Sequence, residues 1–205
     1  MSRYTGPRLK VLRALGVDLP GLSRKSMQER NQPPGQHGAR KIAGKKSGYG
    51  LQLMEKQKLR FNYGLTEGQL RRLVSEAKRS KTPTGDKLLE LLERRFDNAV
   101  FRAGFAPTIP AARQLVRHGH LRLNGRRVDL PGVRLKIGDT ITLHRSDKPL
   151  DAIRASLAEP ALTRPEWLTW DETALSARVG HLPGPQDVPF PIEMQQVVEY
   201  YALRG

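Results

Sequence analysis

The sequence predicts an α+β fold. An all-helical stretch is followed by a small domain in which a helical pair leads into a short antiparallel sheet, and a basic extension precedes both. Three observations predict it. Apolar residues recur at helical spacing from about Leu51 to Ala103, the period switches to two at Leu121, and residues 1–46 are crowded with Gly, Pro, Arg and Lys.

Each element follows from local chemistry. In residues 1–46 no apolar period is sustained, and the Pro33-Pro34-Gly35 run and the Gly44–Gly48 cluster break any helix. Such a segment holds few apolar residues to order itself and is expected to fold only against a partner. A helix follows from Leu51 to Asn62 and stops at Gly64. Thr66 opens the next, with Gln69 three residues on as a capping box and Leu70, Leu73, Val74 and Ala77 as its buried stripe. After the Thr82–Gly85 break, a third helix is expected from about Asp86 to Ala103, with Leu88, Leu89, Leu92, Phe96, Ala99 and Val100 inside. Thr108 caps a short helix carrying Pro110 in its first turn. Leu121 and Leu123 then alternate with Arg122, Asn124-Gly125 is a strong hairpin signal, and Arg126-Arg127-Val128 returns. Val133, Leu135 and Ile137 alternate again, as do Ile141 and Leu143 after the Gly138-Asp139 turn. A helix to about Leu157, the Trp167–Trp170 segment and a terminal helix near Glu193–Ala202 complete the chain. The expected divisions are an extension over 1–46, a helical domain over 47–95, a small domain over 96–158, and a segment over 159–205 that packs back on the helices.

Charge narrows the function. The 205 residues hold 36 Lys and Arg against 20 Asp and Glu, a net charge of +16 that attracts polyanions. The excess is segregated. Residues 1–60 carry a net +11, residues 61–100 carry +2, residues 101–150 carry +7, and residues 151–205 carry −4. Two basic blocks and an acidic tail suggest two nucleic-acid faces and a third face suited to a protein. No apolar run approaches the roughly 20 residues of a membrane helix, so no membrane partner is expected. The first residues show no secretory signal pattern. The absence of cysteine excludes disulfides, a thiol nucleophile and cysteine-based zinc sites.

Enzymatic motifs are missing. There is no phosphate-binding GxxxxGK loop, no GxSxG elbow and no HExxH helix, and Gly48-Tyr49-Gly50 lacks the third glycine of a dinucleotide fingerprint. His118 and His120 have no carboxylate or third histidine near them in sequence, so no metal and no cofactor are expected, nor any small-molecule substrate.

The basic constellation is more specific. Arg113, Gln114, Arg117 and His118 lie on a helix, and His120, Arg122, Asn124, Arg126 and Arg127 follow on a hairpin. Together they make one L-shaped donor surface. Guanidinium forks match phosphate oxygens, while amides and imidazoles reach sugars and base edges. Residues 106–150 contain no Phe, Tyr or Trp, which favours reading the shape of a folded RNA over stacking on loose strands.

These residues also carry a likeness. The run from Arg94 to Asp129 resembles the small RNA-binding domain of the ribosomal S4 family, found too in pseudouridine synthases and tyrosyl-tRNA synthetases. RYTGP (Arg3–Pro7), PPGQHGARK (Pro33–Lys41), YGLQLMEKQKLR (Tyr49–Arg60), TGDKLLELLERR (Thr84–Arg95) and VVEYY (Val197–Tyr201) resemble the bacterial small-subunit members, end to end and in order. The resemblance implies a helical domain completed by the C-terminal segment, into which a small αL-type RNA-binding domain is inserted. It implies a non-enzymatic primary binder of 16S rRNA that nucleates assembly of the 5′ domain, lines the channel through which mRNA enters, and contributes to translational accuracy. It places the chain in the cytoplasm, in the ribosome, beside the third and fifth small-subunit proteins. RNA contacts are expected at Arg3, Arg8, Lys10, Arg13, Gln36, His37, Lys56, Lys58, Arg60, Arg71 and Arg72 besides the helix–hairpin set. Arg40, Lys41, Lys45 and Lys46 are expected toward mRNA. Tyr49, Gln52, Glu55, Glu193, Glu199 and Tyr200 are expected to face the fifth protein. An RNA-modifying enzyme or a free RNA-binding repressor built on the same small domain is the competing reading. The resemblance implies four departures, one of them the terminal Ala202-Leu203-Arg204-Gly205, longer than the usual ending. The chain has no cysteine for a zinc knuckle, so residues 8–32 are expected to order by RNA contact and packing. Gly48 stands where an acid is common, and Ile109 where a basic residue is common.

Overall fold

The computed structural model describes residues 4–28, 32–38, 47–145 and 151–202. They form two compact units, one from residues 1–88 with 190–205 and the other from residues 89–189.

The first unit is helical. Helices α1 (Arg8–Leu15), α2 (Gly48–Asn62), α3 (Glu67–Lys78) and α8 (Met194–Ala202) surround a core of Leu12, Leu19, Leu59, Tyr63, Leu70, Val74 and Val197. The capping box forms as expected: Gln69 N donates to Thr66 Oγ1 at 3.3 Å, and Thr66 N donates to Gln69 Oε1 at 3.0 Å. The extension is more ordered than its composition suggested. Val11, Leu12 and Leu15 line the buried side of α1, Leu19 and Leu22 follow in the core, and Gly21 N donates to the buried Asn62 Oδ1 at 2.9 Å. Five apolar side chains within twelve residues suffice to dock the segment on α2, and the many glycines around them hid that stripe.

Helix α4 (Thr84–Glu93) carries the chain into the second unit. The single helix expected from Asp86 to Ala103 is in fact two, α4 and α5 (Phe96–Arg102). Arg95 is extended between them and bridges Arg134. Leu135 N donates to Arg94 O at 2.9 Å, and Phe96 N donates to Val133 O at 2.8 Å. Backbone bonds to residues 133–135 therefore replace the helical ones at the break. They also explain why 133–137 is no sheet strand, with Leu135 buried but Ile137 60% exposed.

Helix α6 (Ile109–His118) leads into β1 (Leu121–Leu123) and β2 (Arg126–Arg127), and β3 (Thr140–Leu143) follows. After α7 (Asp151–Ala158), β4 (Leu168–Asp171) and β5 (Ser176–Val179) join the same antiparallel sheet in the order β2-β1-β3-β5-β4. Against the expectation that the chain from 159 onward returns to the helices, residues 159–189 stay with the sheet and only 190–205 rejoin the first unit. Trp167 is fully buried and Trp170 meets Phe105 edge-on at 5.4 Å, so the tryptophan segment is a strand anchored in the second core. Among the described residues, no helix is long and apolar enough to cross a membrane.

Candidate nucleic-acid interface

The second unit builds its basic surface at the junction of α6 with the sheet. Thr108 caps α6 by accepting from Ala111 N at 3.4 Å, and Ile109, Ala112 and Val116 bury its inner stripe. Ile109 is thus a core residue. Gly119 ends the helix in the left-handed conformation, φ 76°, and directs the chain into β1. A Cβ at Gly119 would collide with the Arg127 guanidinium, which lies against that backbone.

The hairpin register then sorts the side chains. Leu121 pairs with Leu143 and Leu123 with Ile141, which turns these residues to the core. Arg122 stands opposite both Arg127 and Thr142, so the three share the outer face. Asn124 (φ 52°) and Gly125 (φ 75°) make the turn that the Asn-Gly pair predicts. The Asn124 amide is spent inside the protein, since its Nδ2 donates to Asp139 at 2.8 Å and its Oδ1 accepts from Thr140 N at 2.9 Å. Gln114, Arg117, His118, Arg126 and Arg127 are exposed, and His120 and Arg122 are half-buried between them.

Arg113 departs from the expected outer stripe. Its Nη2 lies 2.6 Å from Asp97 Oδ2, and its Nε donates to the same oxygen at 3.1 Å. Arg95 grips that fully buried carboxylate from the other side at 2.9 and 3.0 Å. Two arginines on one buried acid tie α5 to α6, and Arg113 is part of the scaffold beneath the surface.

In the first unit, Lys10, Gln36, His37, Arg71 and Arg72 are exposed as expected of RNA contacts. Arg8 and Arg13 donate to backbone carbonyls of Leu22 and of Gln32 and Pro33. Lys56 is buried, 2.8 Å from Glu67 and 4.8 Å from the centre of the Tyr200 ring. Lys58 pairs with Glu55 at 2.6 Å, and Arg60 donates to Gln57 and lies over Phe61. The charges of Lys56 and Lys58 are thus met by carboxylates of the chain, and that of Arg60 by the Phe61 ring. Arg3, Arg40, Lys41, Lys45 and Lys46 lie outside the described residues.

The residues expected to face a protein neighbour largely face each other. Gln52 Nε2 donates to Glu199 at 3.2 Å, Glu55 accepts from Glu193 N at 3.0 Å, and Tyr49 stacks on Tyr200 at 6.2 Å. They join α2 to α8. The Tyr201 hydroxyl, pushed far above its ordinary pKa by burial and its bond to Glu67, donates to that carboxylate at 2.7 Å. Burial opposes ionisation of Glu67, but the bonds from Lys56 and Tyr201 outweigh it and hold its pKa below the usual value. Tyr49 itself is 49% exposed.

Sequence reasoning missed His144, Arg145, Lys136 and Arg178, all exposed in the second unit. His144 was legible by alternation, one step beyond the inward Leu143. Arg178, opposite Thr140, needed the pairing of β5 with β3, which no short-range pattern announces.

The comparisons with known proteins agree with this architecture. Residues 3–93 match the ribosomal protein S4/S9 N-terminal domain, and residues 94–141 match the S4 domain. Over 204 residues, and the full length of both chains, the protein is 62% identical to small ribosomal subunit protein uS4 of Methylobacillus flagellatus. It is 60% identical over the same span to uS4B of Nitrosomonas europaea. A uS4-like ribosomal protein of Azoarcus sp. is 80% identical over 108 residues, 53% of this chain and 94% of that one. With both domain models matched in order and full-length identity this high, the chain belongs to the uS4 family of small ribosomal subunit proteins.

Proposed function

We propose that the chain is a structural, non-enzymatic constituent of the small ribosomal subunit in the cytoplasm, binding 16S rRNA of the 5′ domain early in assembly. The observation that carries this reading is the surface at the α6–β1 junction. Arg117 at the end of α6 and Arg122, Arg126 and Arg127 on the hairpin are held there over a buried core, with no Phe, Tyr or Trp from 106 to 150. A rigid array of guanidinium groups without stacking platforms suits the phosphate contour of folded RNA. The names of the full-length relatives support the ribosomal setting. The family likeness supports a place beside the mRNA channel, neighbours in the third and fifth small-subunit proteins, and an influence on accuracy. Gln52, Glu55, Glu199 and Tyr200 are engaged within the chain, and the exposed Glu193 side chain beside them is the part of this set that supports a surface for such a neighbour.

The test is a salt titration with a 5′-domain transcript. Replacing Arg117 and Arg126 with Ala should weaken binding and lower the slope of log affinity against log salt by about 0.9 per lost phosphate contact. A slope unchanged in the double variant would overturn the assignment. Arg113→Ala, in contrast, should act first on stability.

A further inference from the structure

Three of the chain's five histidines converge on the basic junction, although they are far apart in part of the sequence. His118 and His120 rings lie 6.1 Å apart at the end of α6 and the start of β1. His144 N donates to His120 O at 2.9 Å, which brings the end of β3 alongside. The Arg127 guanidinium lies against Gly119, between the first two histidines in sequence. Arg122 Nε donates to His144 Nδ1 at 3.1 Å.

We propose that His118, His120 and His144, with Arg122 and Arg127, form a proton-linked phosphate site, in which docking of an RNA backbone is coupled to proton uptake by the imidazoles. The proposal rests on the rRNA-binding reading and deepens it. His144 accepts from Arg122 at Nδ1, so its neutral ring carries the proton on Nε2. A second proton at Nδ1 removes that acceptor and turns both His144 and Arg122 outward as donors. A phosphate between them accepts from both and offsets their repulsion. His118 sits in the last turn of α6. His120 is held below its ordinary pKa by burial and by the other two imidazoles.

Among the described residues, the charged groups on the elements that carry the cluster are mainly cationic. Arg117 and His118 come from α6, Arg122 from β1, Arg127 from β2 and Arg145 from the residues after β3. Among the described residues, the acids of the neighbouring strands lie elsewhere. Asp139, at the opposite end of β3, takes hydrogen bonds from Asn124 and from Lys136 N. Asp171 is on the far edge strand opposite Ser176, and Asp129 is exposed beyond β2. An incoming polyanion is therefore the partner that raises the histidine pKa values.

The experiment compares the full chain with a His118→Gln/His120→Gln/His144→Gln variant, binding the 5′-domain transcript at pH 7.5 and pH 5.5 at fixed salt. Wild type should tighten on acidification by roughly fivefold more than the variant for each histidine whose pKa rises one unit. Equal pH dependence in the two proteins overturns the proton-linked site while leaving the rRNA reading intact. Failure of wild type to bind at either pH overturns both. Because the variant could misfold, histidine ring resonances of the wild-type chain are also titrated free and bound. A rise in pKa at these three, with His181 unmoved, supports the site, and no rise overturns it.

Discussion

Gly119 answers two constraints at once. Its φ of 76° closes α6, and its missing side chain admits the Arg127 guanidinium. Gly125, at φ 75° in the hairpin turn, answers only the first, since nothing crowds a Cβ there. Both substitutions by Ala should cost about 1–2 kcal/mol through the left-handed backbone. Only Gly119→Ala should also displace Arg127 and weaken RNA binding, which thermal unfolding and a binding titration together would show. Asp97 makes the opposite case, a residue whose role is entirely structural. Asp97→Ala would strand Arg95 and Arg113 around an emptied buried site, so a loss of about 3–5 kcal/mol in denaturant unfolding is expected. Residue types were legible in the sequence at both places, and the conformational need for glycine at Gly125 followed from Asn-Gly alone. That Arg113 turns inward was not legible. Helical spacing gives the face of a residue, but a long guanidinium side chain on the flank of that face goes to whichever carboxylate is near, and Asp97 is sixteen residues away.

At the scale of elements, capped apolar stripes located α3 and α6, a run of helix formers before Gly64 located α2, and the Asn-Gly turn located the β1–β2 hairpin. Two elements escaped. Helix α1 hid among glycines, and the α4–α5 break is imposed by backbone bonds from residues 133–135 rather than by any local breaker. Helix α1 is not dispensable: Leu12→Ala should cost about 2–5 kcal/mol, read by urea unfolding, because its side chain is wholly buried. Helix α8 depends instead on the polar cluster of Tyr201, Glu67 and Lys56. A carboxylate with a depressed folded pKa contributes stability above its unfolded pKa and loses it as pH falls through the folded value. The wild-type chain should therefore lose stability on acidification below the ordinary carboxylate range. In Tyr201→Phe, where Glu67 lacks one of its bonds, the acid-dependent loss should be smaller. Equal slopes of stability against pH in the two proteins would refute that linkage.

The whole molecule is organised by topology more than by charge. Segregated charge was visible along the sequence and pointed to polyanion faces, but it assigned the acidic residues from 151 onward to one tail. The fold divides them. Residues 159–189 add β4 and β5 to the sheet, where Ala177 pairs with Ile141 and Trp170, while 190–205 send α8 to the helices. No sequence period could show that division, since strand partners a few dozen residues apart are chosen by tertiary pairing. The second unit is thus one uninterrupted stretch with both ends leaving it, whereas the first is made of two stretches. A contiguous unit with its own core of Phe96, Phe105, Leu121, Ile141 and Trp167 has what it needs to fold alone. A fragment beginning with α4 at residue 84 and ending at 189 should unfold cooperatively and bind RNA with a salt-dependent affinity. A fragment of residues 1–88 lacks α8, which packs on α2, and Phe190, whose ring meets Tyr63, and should be markedly less stable than the same fragment with residues 190–205 restored as a peptide. Circular dichroism melts of the two fragments, with and without the peptide, decide it: a molten 84–189 fragment, or a 1–88 fragment indifferent to the peptide, would show that the division is not energetic.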